Sequence, residues 1–271
     1  MSRRTRLDAA LVARGFAASR AEARALVEEG LVTVGGAPAA KPATLVARDD
    51  DLVVRAAARW VSRGGQKLVG GLDALEVAVA GRRALDAGAS TGGFTDVLLA
   101  RGAAQVVAVD VGYGQLAWRL RSDERVHVLE RTNVRHLEPD RIPPPPPDLV
   151  VADLSFISLT LVLPALVGVA AAEADHVVLV KPQFEVGRER VGSGGVVRDP
   201  QAHVDAIAAV GEAAAGSGLG VVDAVPSPLR GPAGNVEFFL HLRGGADGQP
   251  GGARTVAERA VAVVRPDAPR H

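Results

Sequence analysis

The sequence predicts an α/β protein: a doubly wound sheet preceded by a small α+β module. Three observations predict it. From Gly81 onward, short apolar runs alternate with helical segments (ALDAGA, QVVAVD, VHVLE, DLVVAD, HVVLVK), each run a candidate strand followed by its crossover. Residues 1–67 carry 12 basic and 7 acidic side chains, a balance of +5, and the remainder balances at −5, so two differently charged parts are joined. The 271 residues are 48% hydrophobic and 23% charged, which excludes a disordered chain and suits one medium domain plus a small one.

The front part reads as two helices and a small sheet. Leu7, Ala10 and Leu11 repeat at helical spacing between Arg6 and Arg14. Ser19 is the expected N-cap of a second helix to Glu29, with Glu22 at the capping-box position and Gly30 as the stop. LVTV, the Gly35–Gly36 turn and the run Leu52 to Val54 read as short strands. Arg3, Arg4, Arg6, Arg14, Arg20 and Arg24 cluster on the helical pair. They suit either a polyanion such as nucleic acid or an ordinary solvated face.

In the body, five prolines at 143–147 form a stiff connector before the fourth strand. The last strand, NVEFFLHL, follows the turn-rich PSPLRGPAG. The Gly-rich residues 244–252 precede a tail expected to be a loosely held helix. Residues 154–172 carry no charge over 19 positions, near the length of a bilayer span. Ser155, Ser158, Thr160, Pro164 and Gly168 within it favour a buried strand exit and a core helix. The N-terminal MSRRTRLDAALVARG has no apolar signal region, which predicts the cytoplasm. With no cysteine, thiolate nucleophiles and Cys-type zinc sites are excluded, and the six scattered histidines have no metal-ligand spacing.

Four features carry chemistry. DAGASTGGF, residues 86–94, joins a strand to a helix, and Gly88, Gly92 and Gly93 allow a ligand close approach to the backbone. The run is neither a spaced dinucleotide fingerprint nor a phosphate loop. Asp86 would repel a phosphate but suits a sulfonium or amine. Asp110, ending the next strand, can hold ribose hydroxyls, although an Asp there can also cap a helix. Together these favour an S-adenosylmethionine pocket. Among 31 basic residues only positions 41, 67 and 181 are Lys, and a buried Lys can lose a proton where Arg cannot. Lys181 ends an apolar strand at the sheet edge that binds ligands. Lys67 follows VSRGGQ, and Lys41 sits in a loop. Asp153 ends the fourth strand and Glu237 lies within the last one, as partners for the lysines or as a plain structural ion pair. Seven of nine aromatics fall in the same blocks. Core packing is the ordinary reading of each, and Tyr113 and Phe184 are the better candidates for stacking on a base.

The blocks VSRGGQKL, LDAGASTGGFTDVLL, AVDVGYGQLAW, ERTNVR, ADLSFISL, LVKPQFEVG, GGVVRD and GNVEFF together resemble the TlyA family of ribosomal RNA cytidine 2′-O-methyltransferases, also named hemolysin-like. The resemblance runs to about Arg243. It implies a Rossmann-like seven-stranded sheet of the FtsJ type with an antiparallel last strand, behind an αL-type RNA-binding module. The implied limits are 1–58 for the module, 59–80 for a linker and first helix, 81–243 for the methyltransferase domain and 244–271 for a flexible tail. It implies a catalytic tetrad of Lys67, Asp153, Lys181 and Glu237, with Lys181 as general base, its neutral form favoured by burial and nearby Lys67. The implied cofactor is S-adenosylmethionine, held by Asp86, Gly88, Ser90, Gly92, Gly93, Phe94, Asp110, Val111, Asn133 and Asp153. The partner is ribosomal RNA or a ribosomal subunit, contacted by Arg4, Arg6, Arg14, Arg20, Arg24 and Arg63, with no metal and no membrane. Two other readings are a membrane-lytic protein, resting on residues 154–172, and an assembly factor with a dead catalytic half.

Overall fold

The computed structural model describes residues 4–28, 30–54, 60–245 and 252–264. The chain divides into two compact units, Met1–Arg59 and Trp60–His271. Arg3, Glu29, the expected boundary near residue 58 and the two ends of the tail lie outside the described residues.

In the first unit, β1 (Thr5–Arg6) leads directly into α1 (Leu7–Ala13), and α2 (Arg20–Glu28) packs against α1. Ser19 caps α2 by accepting from Glu22 N, but the Glu22 carboxylate reaches Ala18 N rather than Ser19 N. Gly30, at φ +71°, ends the turn. The strands β2 (Val32–Val34), β3 (Ala37–Pro38) and β5 (Leu52–Val54) form a sheet in the order β3-β2-β5, and β4 (Leu45–Val46) pairs with β1. Leu7, Leu11, Ala23, Val27, Val32, Val46 and Leu52 make the core.

The second unit opens with α3 (Arg63–Ala74), whose N-cap Ser62 accepts from Gly64 N. Then follow β6 (Arg83–Ala87), α4 (Gly93–Ala100), β7 (Gln105–Val109), α5 (Trp118–Arg121) and β8 (Val126–Leu129). After them come β9 (Leu149–Ala152), α6 (Leu163–Val169), β10 (Asp175–Val180), α7 (Pro182–Glu185), α8 (Pro200–Gly216), β11 (Leu219–Pro226), β12 (Phe238–Gly244) and α9 (Gly252–Ala262). The strands form one seven-stranded sheet in the order β11-β12-β10-β9-β6-β7-β8, parallel except at β12, which runs antiparallel to both neighbours.

Alternation along each strand divides the core between the two faces, as a period of two requires. Leu85, Val107, Val150, Val178 and Phe238 point to the layer of α6, α8 and α9. Ala84, Val106, Val151, Leu179 and Phe239 point to the layer of α3, α4 and α5. Burial on both faces is what a parallel sheet covered by helices demands.

Four expectations change. β11 has no counterpart among the strands expected from the sequence. Glu237 precedes β12 rather than lying within it. The uncharged run 154–172 holds a loop, one 3₁₀ turn at Leu159–Leu161 and the seven-residue α6, and Leu159 and Val162 join Leu163, Leu166 and Val169 of the helix in the core. The tail is not loosely held where it is described: Val256, Ala257 and Ala260 of α9 are buried against α8 and β11.

Candidate active site

Register assembles the site at the carboxyl edge of the sheet. Ala87 of β6 pairs with Ala152 of β9, so the next residues, Gly88 and Asp153, sit side by side, and Asp153 N donates to Ala87 O at 3.0 Å. Val180 of β10 pairs with Phe238 of β12, so the flanking residues, Lys181 and Glu237, leave the ladder together. Lys67 arrives from α3. That helix seats closely because glycines face its neighbours: a Cβ on Gly71 would meet the Phe239 ring at 2.5 Å, and one on Gly65 would meet Trp60 at 2.4 Å.

All four tetrad residues line one cleft of about 490 Å³. Lys67 Nζ donates to Glu237 Oε2 at 2.5 Å, with side chains only 8% and 1% exposed. Lys181 Nζ lies 2.6 Å from Asp153 Oδ1 and donates to Ser155 Oγ at 2.9 Å. Each ammonium thus has a carboxylate partner in a setting that is poor for a lone charge.

The glycine loop between β6 and α4 shapes a second cleft of about 380 Å³, lined by Gly88, Ser90, Asp110, Val111, Asn133 and Asp153. Gly88 is at φ +87°, and a Cβ there would meet the Asp153 carbonyl oxygen at 2.6 Å, so only glycine fits. The Asp110 carboxylate accepts from Ser90 N at 2.8 Å and Gly112 N at 2.6 Å, which ties the loop to the end of β7. A carboxylate has about four lone-pair sites, so Asp110 can still accept from a ligand hydroxyl. Asn133 Oδ1 accepts from Arg135 N. Gly88, Ser90, Asp153 and Ser155 border both clefts, which therefore adjoin. Gly93 and Phe94 line the first cleft, whereas Gly92, at φ +100°, packs against Leu116 and Leu120 and lines neither.

Asp86 also lines neither cleft. It is fully buried beneath the loop and accepts from Thr95 Oγ1 at 2.6 Å. Desolvation, opposed by the Thr95 bonds and reinforced by the charges of Asp153 and Asp110, pushes its carboxyl up to about 7. Its place is under the loop rather than against a ligand, a depth that position in a motif does not reveal.

The arginines separate into different roles. Arg63 lines the first cleft and donates to the Arg230 carbonyl at 3.1 Å. In the front unit, Arg6, Arg20 and Arg24 converge on buried Asp8, and Arg4 is exposed. Arg14 is spent internally, donating to the carbonyls of Asp50, Ala47 and Arg48 at 2.7, 2.9 and 2.9 Å. These bonds anchor Arg14 to the segment of residues 47–50, unlike Arg6, Arg20 and Arg24.

Sequence reasoning missed three residues. Ser155 holds Lys181. Arg230 lines the first cleft. Phe156 stands 91% exposed at left-handed φ +65°, its ring 5.3 Å from Phe184. The only available signal for Phe156 was an aromatic among serines in ADLSFISL. Tyr113 is also exposed, with the Arg131 guanidinium 4.2 Å over its ring.

Residues 60–244 match the FtsJ-like methyltransferase family and residues 5–52 the S4 domain. The chain is 60% identical over 245 residues to the 16S/23S rRNA (cytidine-2′-O)-methyltransferase TlyA of Mycobacterium tuberculosis, covering 90% of this chain and 91% of that one. It is 34% identical to the 23S rRNA (cytidine-2′-O)-methyltransferase TlyA of Campylobacter jejuni, over 67% of this chain and 70% of that one. A solved structure from Streptococcus thermophilus, provisionally named a hemolysin, is 38% identical, with a TM-score of 0.73 and coverage of 97% and 96%. Among the described residues no helix is long and apolar enough to cross a membrane. At this identity over nine-tenths of both chains, and with an FtsJ-like methyltransferase match behind an N-terminal S4 match, the chain belongs to the TlyA family of methyltransferases.

Proposed function

We propose that this enzyme transfers a methyl group from S-adenosylmethionine to the 2′-hydroxyl of a cytidine in 16S or 23S ribosomal RNA, or both, in the cytoplasm. The observation that carries the reading is the pairing of Lys67 with Glu237 and of Lys181 with Asp153 in a cleft that adjoins the glycine loop. The adjoining cleft suits the cofactor: Gly88 lets a ligand approach the backbone, and Asp110 offers a carboxylate to ribose hydroxyls.

When bound, S-adenosylmethionine supplies a methyl group already activated by its sulfonium. What remains for the protein is to place the hydroxyl in line and to help its proton leave. Lys181, after its ammonium has released one proton to solvent, accepts the hydroxyl proton as the neutral amine. Asp153 and Ser155 fix the direction of its amine, and Asp153, which borders both clefts, would offer its carboxylate to the sulfonium of a bound cofactor. Glu237 holds Lys67 in the same cleft, where the pair orients the hydroxyl. No step calls for a metal ion. The S4 module brings the RNA, and Arg63 at the mouth of the cleft contacts its backbone.

The test is incorporation of labelled methyl groups into free 16S RNA, free 23S RNA and assembled subunits. Incorporation into at least one is expected. None in any of them, from a folded protein that binds the cofactor, would sink the reading.

A further inference from the structure

We propose that Asp8 is the positioning residue of a phosphodiester-binding site in the N-terminal module: one buried carboxylate gathers Arg6, Arg20 and Arg24 into a single cationic face for the RNA backbone. The proposal rests on the RNA-binding reading above and adds the device that organises it.

Asp8 is the second residue of α1 and is 0% exposed. A buried carboxylate needs a partner, and one arginine suffices to neutralise it. Three converge. Arg6 spans both oxygens, from Nε to Oδ1 at 3.1 Å and from Nη2 to Oδ2 at 3.0 Å. Arg20 Nη2 reaches Oδ2 at 2.9 Å, and Arg24 Nε reaches it at 3.5 Å. The spacing explains the convergence: Arg6 immediately precedes α1, and Arg20 and Arg24 lie four residues apart on one face of α2, which packs on α1.

The sum is one negative and three positive charges. Three guanidiniums around one carboxylate repel each other, and a further anion relieves that repulsion. Their side chains remain 43%, 55% and 55% exposed. Each guanidinium has five donors in a fixed fork, and Asp8 engages two on Arg6 and one each on Arg20 and Arg24. The remaining donors make no bond to Asp8, and phosphate oxygens can accept them in pairs. Held in place, the three side chains lose less conformational freedom on binding than three independent arginines would.

This role has an unusual sign. Charge counting says that removing an acid from an RNA-binding surface tightens binding and steepens its salt dependence. Preorganisation says the reverse. The experiment measures binding of full-length protein to 16S and 23S transcripts between 50 and 300 mM KCl, for wild type, Asp8→Asn and the triple variant Arg6→Gln/Arg20→Gln/Arg24→Gln, with thermal melts confirming that each is folded. Asp8→Asn is expected to bind about tenfold more weakly with a shallower salt slope. Unchanged or tighter binding by Asp8→Asn overturns the proposal. If the triple variant binds like wild type, the RNA-binding reading of this face fails instead, and the role of Asp8 falls with it. Should Asp8→Asn not fold, Arg6→Lys keeps the net charge but cannot span both Asp8 oxygens. Weaker binding by this variant supports the proposal, and wild-type affinity overturns it.

Discussion

Replacing Lys67 by Met separates the structural from the chemical work of the tetrad. The substitution keeps an unbranched apolar stem of similar size but leaves Glu237, 1% exposed, without its partner at 2.5 Å. Breaking a buried pair by removing one member costs about 3–5 kcal/mol. For a domain of roughly 200 residues each kcal/mol moves the melting temperature by about 2–4 °C, so the catalytic unit should melt about 6–20 °C lower. Adding Glu237→Gln removes the stranded charge, and the double variant should recover most of the loss while remaining inactive. Calorimetry on the full chain reads the melt, and methyl incorporation reads activity. If Lys67→Met melts within about 2 °C of wild type, or the double variant melts as low as the single one, the pair is not the buried, coupled unit described here.

Lys181→Arg retains the charge beside Asp153 but cannot accept a proton; methylation should fall about 10²- to 10⁴-fold with S-adenosylmethionine affinity within about threefold, and substantial turnover would remove Lys181 from the base role. Asp86, pushed up to about 7, keeps a proton in the folded state that the unfolded chain releases near pH 4. Its contribution is therefore intact below about pH 4 and is lost as pH rises to about 7, on the order of 4 kcal/mol in all, and Asp86→Asn should flatten stability across that window; an unchanged pH profile would contradict the burial argument. Phe156→Ala should weaken RNA binding about 5- to 150-fold if the exposed ring stacks on a base, yet leave the melting temperature unchanged; full RNA affinity would remove it from the RNA surface.

The sheet was legible because strands buried on both faces read as unbroken apolar runs, QVVAVD, DLVVAD and HVVLVK, separated by helical segments. β11 was not, because GLGVVDAVP sits between breakers and bulges between Val221 and Asp223. The tetrad's residue types were legible from chemistry, and a family resemblance assembled them. What brings them together is register, Val180 against Phe238 and Ala87 against Ala152, which no single segment encodes. Depth was the hardest quantity to read. Asp86 opens the glycine loop in sequence but lies beneath it in space, and Phe156 sits in an uncharged run yet faces solvent. Arg14 reads like its neighbours until the carbonyls of residues 47, 48 and 50 claim its guanidinium.

The central claim, transfer to a ribose oxygen, is tested most directly by locating the methyl group. The chain has no cysteine, so it cannot form the thiolate adduct common in base-carbon methylation. Base nitrogens already offer lone pairs or weakly held protons and would not call for a lysine base, whereas a ribose hydroxyl needs one. RNA methylated by the purified enzyme should be digested to nucleosides and analysed by mass spectrometry. The added mass is expected on the sugar of a cytidine, in a linkage that resists alkali because the 2′-oxygen can no longer attack the adjacent phosphate. A methyl group found on the base, with the linkage still alkali-labile, would contradict both the tetrad's role and the proposed reaction.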